Sequence, residues 1–368
     1  MIIPFNKLAP LYEKHKNEYD AAAIEALESG WYILGDKLSS FEGQFADYIG
    51  TAHCVGLNSG LDALILALRA LGVDAGDEVI VQANTYIATV LGITENGGTP
   101  VFVEPDEYHG LNPAKLADAI TDKTKAIIAV HLYGQPCDME PIVEIAGKHG
   151  IPLVEDCAQS HGATWKSQKT GTFGTIGCFS FFPTKNLGAF GDAGAIVTDD
   201  QEIAEKVRAL RNYGSKRKYY NDICGVNSRL DEIQAALLSV RLKYLKETLD
   251  ERATIADYYL NNIDPSAVTL PSIRSDASHV WHLFVVENDK RDELQQHLSE
   301  RGIQTQIHYP VPPHLSGAYK NLGFKSGDFP ITERLASSVL SLPLYNGMTK
   351  DEMDSVCRAV NEFGGMKR

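Results

Sequence analysis

The six cysteines (Cys54, Cys137, Cys157, Cys178, Cys224 and Cys357) form no CxxC pair and no clustered Cys/His ligand set. That spacing argues against a structural zinc site, so no metal is expected, and it suits reduced thiols in a cytoplasmic protein. An excess of positive charge is missing too. The chain has 34 Lys and Arg against 48 Asp and Glu, a formal net charge of −14. Such a balance speaks against a general nucleic-acid or anionic-membrane surface. No apolar run approaches the length of a membrane span. The opening "MIIPFNKLAPLYEKHKNEYD" has no basic stretch leading into an apolar one, so no secretory signal is expected. Nucleotide fingerprints are absent as well. "NSGLDAL" lacks the GK[ST] of a P-loop, and "GAFGDAG" is not a GxGxxG opening a helix. Repeats, low-complexity segments and disordered linkers do not occur.

Hydrophobic residues make up 44 % and charged residues 22 % of 368 positions, a soluble globular composition suited to two domains, one of them large. The first two-thirds alternates short apolar runs with helical periods. "HCVGL", "DEVIVQA", "TPVFVEP", "TKAIIAV" and "IPLVED" read as strands, with helices such as "LDALILALRAL" and "MEPIVEIAGKHG" between them. This is the pattern of βαβ units and a mainly parallel sheet. "GCFSFFP" and "GAIVTDD" break the rhythm, because two strands follow each other across a glycine-rich loop. Beyond residue 200 the chain turns helical. The run "LDEIQAALLSVRLKYLKETLDERATIADYYLNNI" predicts one long bridging helix. "HVWHLFVV" and "IQTQIHYP" read as strands of a smaller α+β layer that also holds "KRDELQQHLSERG" and a last helix. Residues 1–250 are expected to form the large domain and 251–368 the small one.

Three features carry chemistry. Asn58, Ser59 and Gly60 stand where "LDALILALRAL" should begin, and free N–H groups at a helix start suit a phosphate; taken alone, a simple N-cap is the commoner reading of such residues. Glu155 and Asp156 lie at the carboxyl end of a strand, where α/β proteins build their sites, although Asp156 also reads as a helix cap. Lys185 sits in "FFPTKNLGAFGDAGA", apolar and glycine-rich company that would desolvate its amine and make it a nucleophile toward carbonyls. Phosphate cradle, buried carboxylate and imine-forming lysine together point to pyridoxal 5′-phosphate, with the carboxylate keeping the pyridine nitrogen protonated. Ser180 could add a phosphate contact, and Tyr86 could stack on the ring.

The ordered motifs "NSGLDAL", "TYIATVLGI", "VEDCAQSHGA", "SFFPTKNLGAFGDAGAIVT", "LRNYGS" and "GVNSRLDEIQAALL" resemble the DegT/DnrJ/EryC1/StrS group of sugar aminotransferases, from "PFNKLAPLYEKHKNE" to "SLPLYNGMT". The resemblance implies the aspartate-aminotransferase fold (fold type I), with a mainly parallel seven-stranded sheet in the large domain and a smaller α+β C-terminal domain. It further implies a homodimer with shared active sites that moves an amino group from L-glutamate to a nucleotide-diphosphate keto sugar. Position by position, Lys185 matches the Schiff-base lysine, Asp156 the partner of the pyridine nitrogen and Gln159 the residue beside the ring hydroxyl. Tyr86 matches the stacking aromatic, Gly60 and Leu61 the backbone phosphate donors, and Ser180 a hydroxyl donor. Asn227 matches a phosphate contact from the second subunit. Arg229, His308 and Tyr309 look like parts of the nucleotide-sugar site, also from across the dimer.

Relatives that aminate C4 often have histidine in the third place of "SFxP", where this chain has Phe182. "KNLGAFGDAGA" is closer to relatives that aminate C3, which makes a 3-keto, 6-deoxy hexose the expected acceptor. The alternatives are a C4-directed aminotransferase and a non-catalytic regulator on the same fold. Related sugar dehydratases replace the lysine with histidine, so Lys185 argues against that activity. His131 and His161 resemble positions near the site but also read as satisfied strand-end histidines. "KRK" at 216–218 reads as a solvated face or as a basic entrance for a diphosphate.

Overall fold

The computed structural model describes residues 2–217 and 219–365, so Lys218 of the "KRK" run lies outside the described residues. Seven strands build the central sheet: β1 (His53–Leu57), β2 (Glu78–Gln82), β3 (Thr99–Val103), β4 (Thr124–Val130), β5 (Leu153–Asp156), β6 (Ile176–Ser180) and β7 (Gly194–Thr198). Their spatial order is β1-β7-β6-β5-β4-β2-β3. Every neighbouring pair is parallel except the two made by β7. The break in rhythm after residue 176 is therefore an antiparallel β6–β7 connection, and Lys185 rides on its loop.

Period-two alternation sends each strand's side chains to opposite faces. In β4, Ala126, Ile128 and Val130 join the apolar cluster that also holds α1 (Gly60–Ala70) and α2 (Ile87–Thr94). Ile127 and Ala129 face the other way, toward Met139, Ile142 and Ala146 of α3 (Met139–His149). Both faces are covered, as a parallel sheet requires.

The long helical run is two helices, α4 (Glu232–Lys243) and α5 (Leu245–Asn262), not one. Tyr244 leaves helical geometry at φ −106°, ψ 10°. Its ring stacks 3.5 Å from that of His15 and its hydroxyl donates to Glu18, so contacts with the N-terminal helices outweigh helix continuity. The C-terminal layer packs α5, α6 (Arg291–Glu300) and α7 (Lys350–Gly365) around β8 (Phe284–Glu287) and β9 (Val339–Leu342), which pair antiparallel. "IQTQIHYP" does not form the expected strand. Ile303 bridges Ile3 and Gln306 bridges Ser341, one residue to each partner, so no ladder develops. No helix among the described residues is long and apolar enough to cross a membrane.

The start of α1 is pressed onto the ends of β6 and β7. A Cβ on Gly60 would lie 2.5 Å from Cβ of Ser180, and one on Gly194 would overlap the Ser59 carbonyl. Glycine is required at both places because no flexible side chain can yield. Gly194→Ala should therefore lower stability by about 1–3 kcal/mol, as overpacking against backbone does. Urea unfolding at fixed protein concentration reads this directly, and an unchanged midpoint would mean that helix and sheet can part freely.

Candidate active site

Asp156 ends β5 in register with Val130 of β4 and Cys178 of β6, and is only 5 % exposed. Its Oδ2 accepts from the Thr89 hydroxyl at 2.8 Å, itself paired with Thr85 at 2.7 Å, and its Oδ1 accepts from the Ala158 N–H at 3.1 Å. Burial raises its pKa, opposed by these two hydrogen bonds and by the charge of Lys185. No cationic side chain forms an ion pair with it among the described residues. No helix starts at Asp156, so the helix-cap reading fails: turns follow the strand, and the bond to the Ala158 N–H closes the first of them.

Glu155 points to the opposite face and is a different kind of group. It accepts from His131 Nε2 at 2.9 Å and from the N–H groups of Gly171, Phe173 and Gly174 at 2.7–2.8 Å. His131 Nδ1 in turn accepts from the Cys137 N–H at 3.1 Å, so the satisfied reading holds for this histidine. Ligand atoms of His131, Glu155 and Cys157 lie within 4.8 Å of one another. The Glu155 oxygens are already engaged by four donors, which makes the trio a closed hydrogen-bonded knot.

Lys185 turns back at the tip of the β6–β7 connection, its N–H donating to the Phe182 carbonyl at 2.8 Å. As a residue it is partly exposed, yet the protein packed around its amine pulls the pKa down to about 8, with the Asp156 charge opposing the fall. The next residue anchors the loop, since Asn186 Nδ2 donates to the Val280 carbonyl at 2.8 Å. His161 lies between the rings of Phe179 and Phe181, at 5.5 and 5.8 Å. Burial, then the Lys185 charge, pushes its pKa down to about 3, so it is neutral packing.

At the start of α1 the Ser59 hydroxyl caps the Asp62 N–H at 3.1 Å. Among the described residues nothing accepts from the Gly60 and Leu61 N–H groups, so a helix start with free donors stands beside Ser180. On the other flank, Gln159 Nε2 donates to the Tyr309 hydroxyl at 3.0 Å, and the Tyr309 ring lies 4.9 Å from Tyr86, the residue preceding α2. His308 bonds Ser341 through Nδ1 at 2.8 Å and lines a cavity of about 290 Å³ with Thr184 and His282. Burial, then Lys185, lowers the His308 pKa to about 4.

Lys185, Asp156, Gln159, Tyr86, Gly60, Leu61, Ser180, His308 and Tyr309 therefore surround one region of a single chain. That corrects the expected origin of His308 and Tyr309. The resemblance implies that they come from the partner, but Gln159 and Tyr86 of the same chain hold Tyr309, because the C-terminal layer folds back over the sheet. Asn227 and Arg229 are not brought in. Asn227 is exposed and bridged to Asn212, while Arg229 donates to Asn212 at 3.2 Å and lies over the Tyr213 ring. Phe182 is exposed, as are Lys216 and Arg217. Thr89, Tyr133 and Asn186 leave no signal in the sequence, since neutral residues that act through hydrogen bonds to distant segments make no pattern.

The profile of the DegT/DnrJ/EryC1/StrS aminotransferase family matches residues 13–361. The dTDP-3-amino-3,6-dideoxy-alpha-D-galactopyranose transaminase of Aneurinibacillus thermoaerophilus is 49 % identical over 364 residues, covering 99 % of this chain and 100 % of that one. The crystal structure of S. venezuelae DesV, in complex with a ketimine intermediate, is similar with a TM-score of 0.97 at 48 % identity, over 99 % of this chain and 98 % of that one. The structure of ntda from Bacillus subtilis, with bound cofactor pmp, is similar with a TM-score of 0.93 at 33 % identity, over 99 % of this chain and 85 % of that one.

Lys185 should be half-deprotonated near pH 8. Competitive acetylation of the apoprotein across pH, quantified by peptide mass spectrometry, should find that midpoint while surface lysines titrate at about 10.4. Asp156→Asn removes the charge that raises the lysine's pKa and should move the midpoint lower still. A midpoint unmoved by Asp156→Asn would disconnect the two groups.

Proposed function

The chain belongs to the DegT/DnrJ/EryC1/StrS aminotransferase family, and from that premise we propose that it moves the amino group of L-glutamate to C3 of a 3-keto, 6-deoxy nucleotide-diphosphate hexose. The observation that carries the chemistry is a lysine whose pKa is lowered to about 8 by burial, within electrostatic reach of a buried carboxylate that makes no ion pair. Pyridoxal 5′-phosphate supplies the carbonyl that captures the donor amine and an electron sink for the pair left on the donor's α-carbon. The residues fit it. The free N–H groups of Gly60 and Leu61 with the Ser180 hydroxyl would hold its phosphate, Asp156 its ring nitrogen, and Lys185 its carbonyl carbon. Gln159 would meet the ring hydroxyl, and Tyr86 would cover the ring.

Lys185 also moves the proton. Near neutral pH an amine of pKa about 8 exists in both forms, so it can take a proton from the donor carbon and return it elsewhere. Asp156 fixes negative charge at the carboxyl end of β5, and the Thr89 and Ala158 donors keep its carboxylate oriented there. His161 and His308, both neutral above about pH 4, add no competing cation. His308 and Tyr309 would meet the hexose from the same chain. Asn227 of the partner subunit would reach the phosphate, and Arg229 of the partner subunit the nucleotide diphosphate.

A homodimer is supported by the exposed apolar run Trp31, Tyr32, Ile33 and Leu34, together with Ile24 and Leu27. Six free cysteines, five of them buried, agree with a reducing cytoplasm. We set the division between large and small domain near residue 250, since Ile255, Tyr259, Phe284, Leu298, Val356 and Phe363 share an apolar cluster with Ile3, while Leu283, Val285 and Leu335 pack on the sheet's cluster across the boundary. The C3 assignment draws on Phe182 and on the 3-amino product in the name of the Aneurinibacillus relative.

Two measurements test this reading. Lys185→Ala should fold and bind the cofactor yet lose turnover by more than the roughly ten-thousandfold typical of lost acid–base help. Turnover near the wild-type rate would remove Lys185 from the chemistry. Offered 3-keto and 4-keto nucleotide sugars with glutamate, the enzyme should aminate the 3-keto isomer, as identified by NMR of the product. Efficient formation of a 4-amino sugar would overturn the C3 assignment alone.

A further inference from the structure

Tyr133 follows β4 in the turn Leu132–Gly134, with left-handed backbone at φ 61°, ψ −5°, and is 6 % exposed. A bulky residue adopts that conformation only where its surroundings over-determine it. Three polar groups of this one residue end on three separate segments of the site. Its N–H donates to Gln159 Oε1 at 2.6 Å. Its C=O accepts from the Leu283 N–H at 3.2 Å, in the segment whose Val280 carbonyl receives Asn186, the neighbour of Lys185. Its hydroxyl donates to the His308 carbonyl. Gln159 closes the circuit by donating to the Tyr309 hydroxyl at 3.0 Å.

We propose that Tyr133 is the positioning residue that holds the hexose-facing His308–Tyr309 segment in register with the cofactor-facing Gln159, an inference that rests on the function proposed above. The two backbone bonds set Gln159 and the 280–283 segment whatever the side chain. The hydroxyl adds a direct tie to the His308 carbonyl, beside the Gln159–Tyr309 and His308–Ser341 bonds that also hold the segment. A phenylalanine would fill the same space and leave the His308 carbonyl without that donor, loosening the segment. Small misplacement of a binding group is felt strongly at a reacting centre.

Tyr133→Phe isolates that hydroxyl. The nucleotide-sugar KM should rise by about tenfold, the worth of one buried hydrogen bond. The glutamate half-reaction, followed in single turnover by cofactor absorbance, should stay within about twofold of wild type, because the backbone bond to Gln159 persists. A double-mutant cycle with Tyr309→Phe should show less than multiplicative effects on the sugar KM, since both act through one segment. An unchanged sugar KM, a parallel fall in both half-reactions or strictly multiplicative effects would each overturn the role of Tyr133. A wild-type chain that turns over no keto sugar would overturn the proposed function along with it, whereas an active wild type with an indifferent variant sinks the Tyr133 role alone.

Discussion

A carboxylate buried at the end of a parallel strand and, among the described residues, paired with no cationic side chain is the constraint around which this molecule is arranged. Asp156 keeps its orientation through the Thr89 hydroxyl and the Ala158 N–H, both neutral donors. Leaving the charge there costs free energy that an added cationic group would recover, so the site favours a ligand carrying a protonated ring nitrogen. Burial acts oppositely on the facing lysine, favouring its neutral form, while Asp156 holds that shift to about 8. The result is an amine able to change protonation near neutral pH. The histidines nearby do not interfere, because burial keeps His161 and His308 uncharged.

Topology explains why these groups meet. A parallel sheet collects the carboxyl ends of β2, β4 and β5 on one side, where Tyr86, Tyr133 and Asp156 follow or end their strands. The antiparallel β7 then lets the chain present a loop at the carboxyl end of β6 without a helical crossover, and Lys185 occupies it. The start of α1 comes close enough to offer free N–H groups only because Gly60 and Gly194 have no side chains. Alternation does the rest. Glu155 and Asp156 are sequence neighbours with opposite fates, one closed in a knot with His131 and one facing the site.

The sheet was legible in the sequence because buried strands are short and mostly apolar, as in "EVIVQ", "TPVFV" and "GAIVT", and because helical periods separate most of them. Lys185 and Asp156 were legible because charge in apolar company is rare and needs a reason. What could not be read depended on distant partners. Tyr244 breaks a helix for a stack on His15, a residue more than two hundred positions away. The segment after Ile303 looks like a strand, but β9 took the place beside β8. The role of Tyr133 rests on a backbone conformation and a hydroxyl, neither of which leaves a pattern. The expectation that His308 and Tyr309 come from the partner rests on the resemblance, and likeness of motifs does not say against which chain's surface a segment packs.

Ownership matters for regiochemistry. On the proposed reading, Tyr309 meets the hexose from the chain that carries Lys185, while Arg229 of the partner subunit meets the diphosphate. The span between those two anchors, not the lysine itself, then decides which sugar carbon lies over the cofactor. C3 and C4 are one carbon–carbon bond apart, and a displacement of about 1 Å is enough to change rates on the order of a hundredfold. An element that fixes the hexose end relative to Gln159 therefore acts on selectivity as well as on affinity. The C-terminal layer supplies that element through the His308 carbonyl, and the sheet answers it with the hydroxyl of Tyr133. On that reading, selectivity between neighbouring carbonyls draws on a neutral hydrogen bond between two layers, and a neutral donor there adds no charge to the surroundings of Lys185.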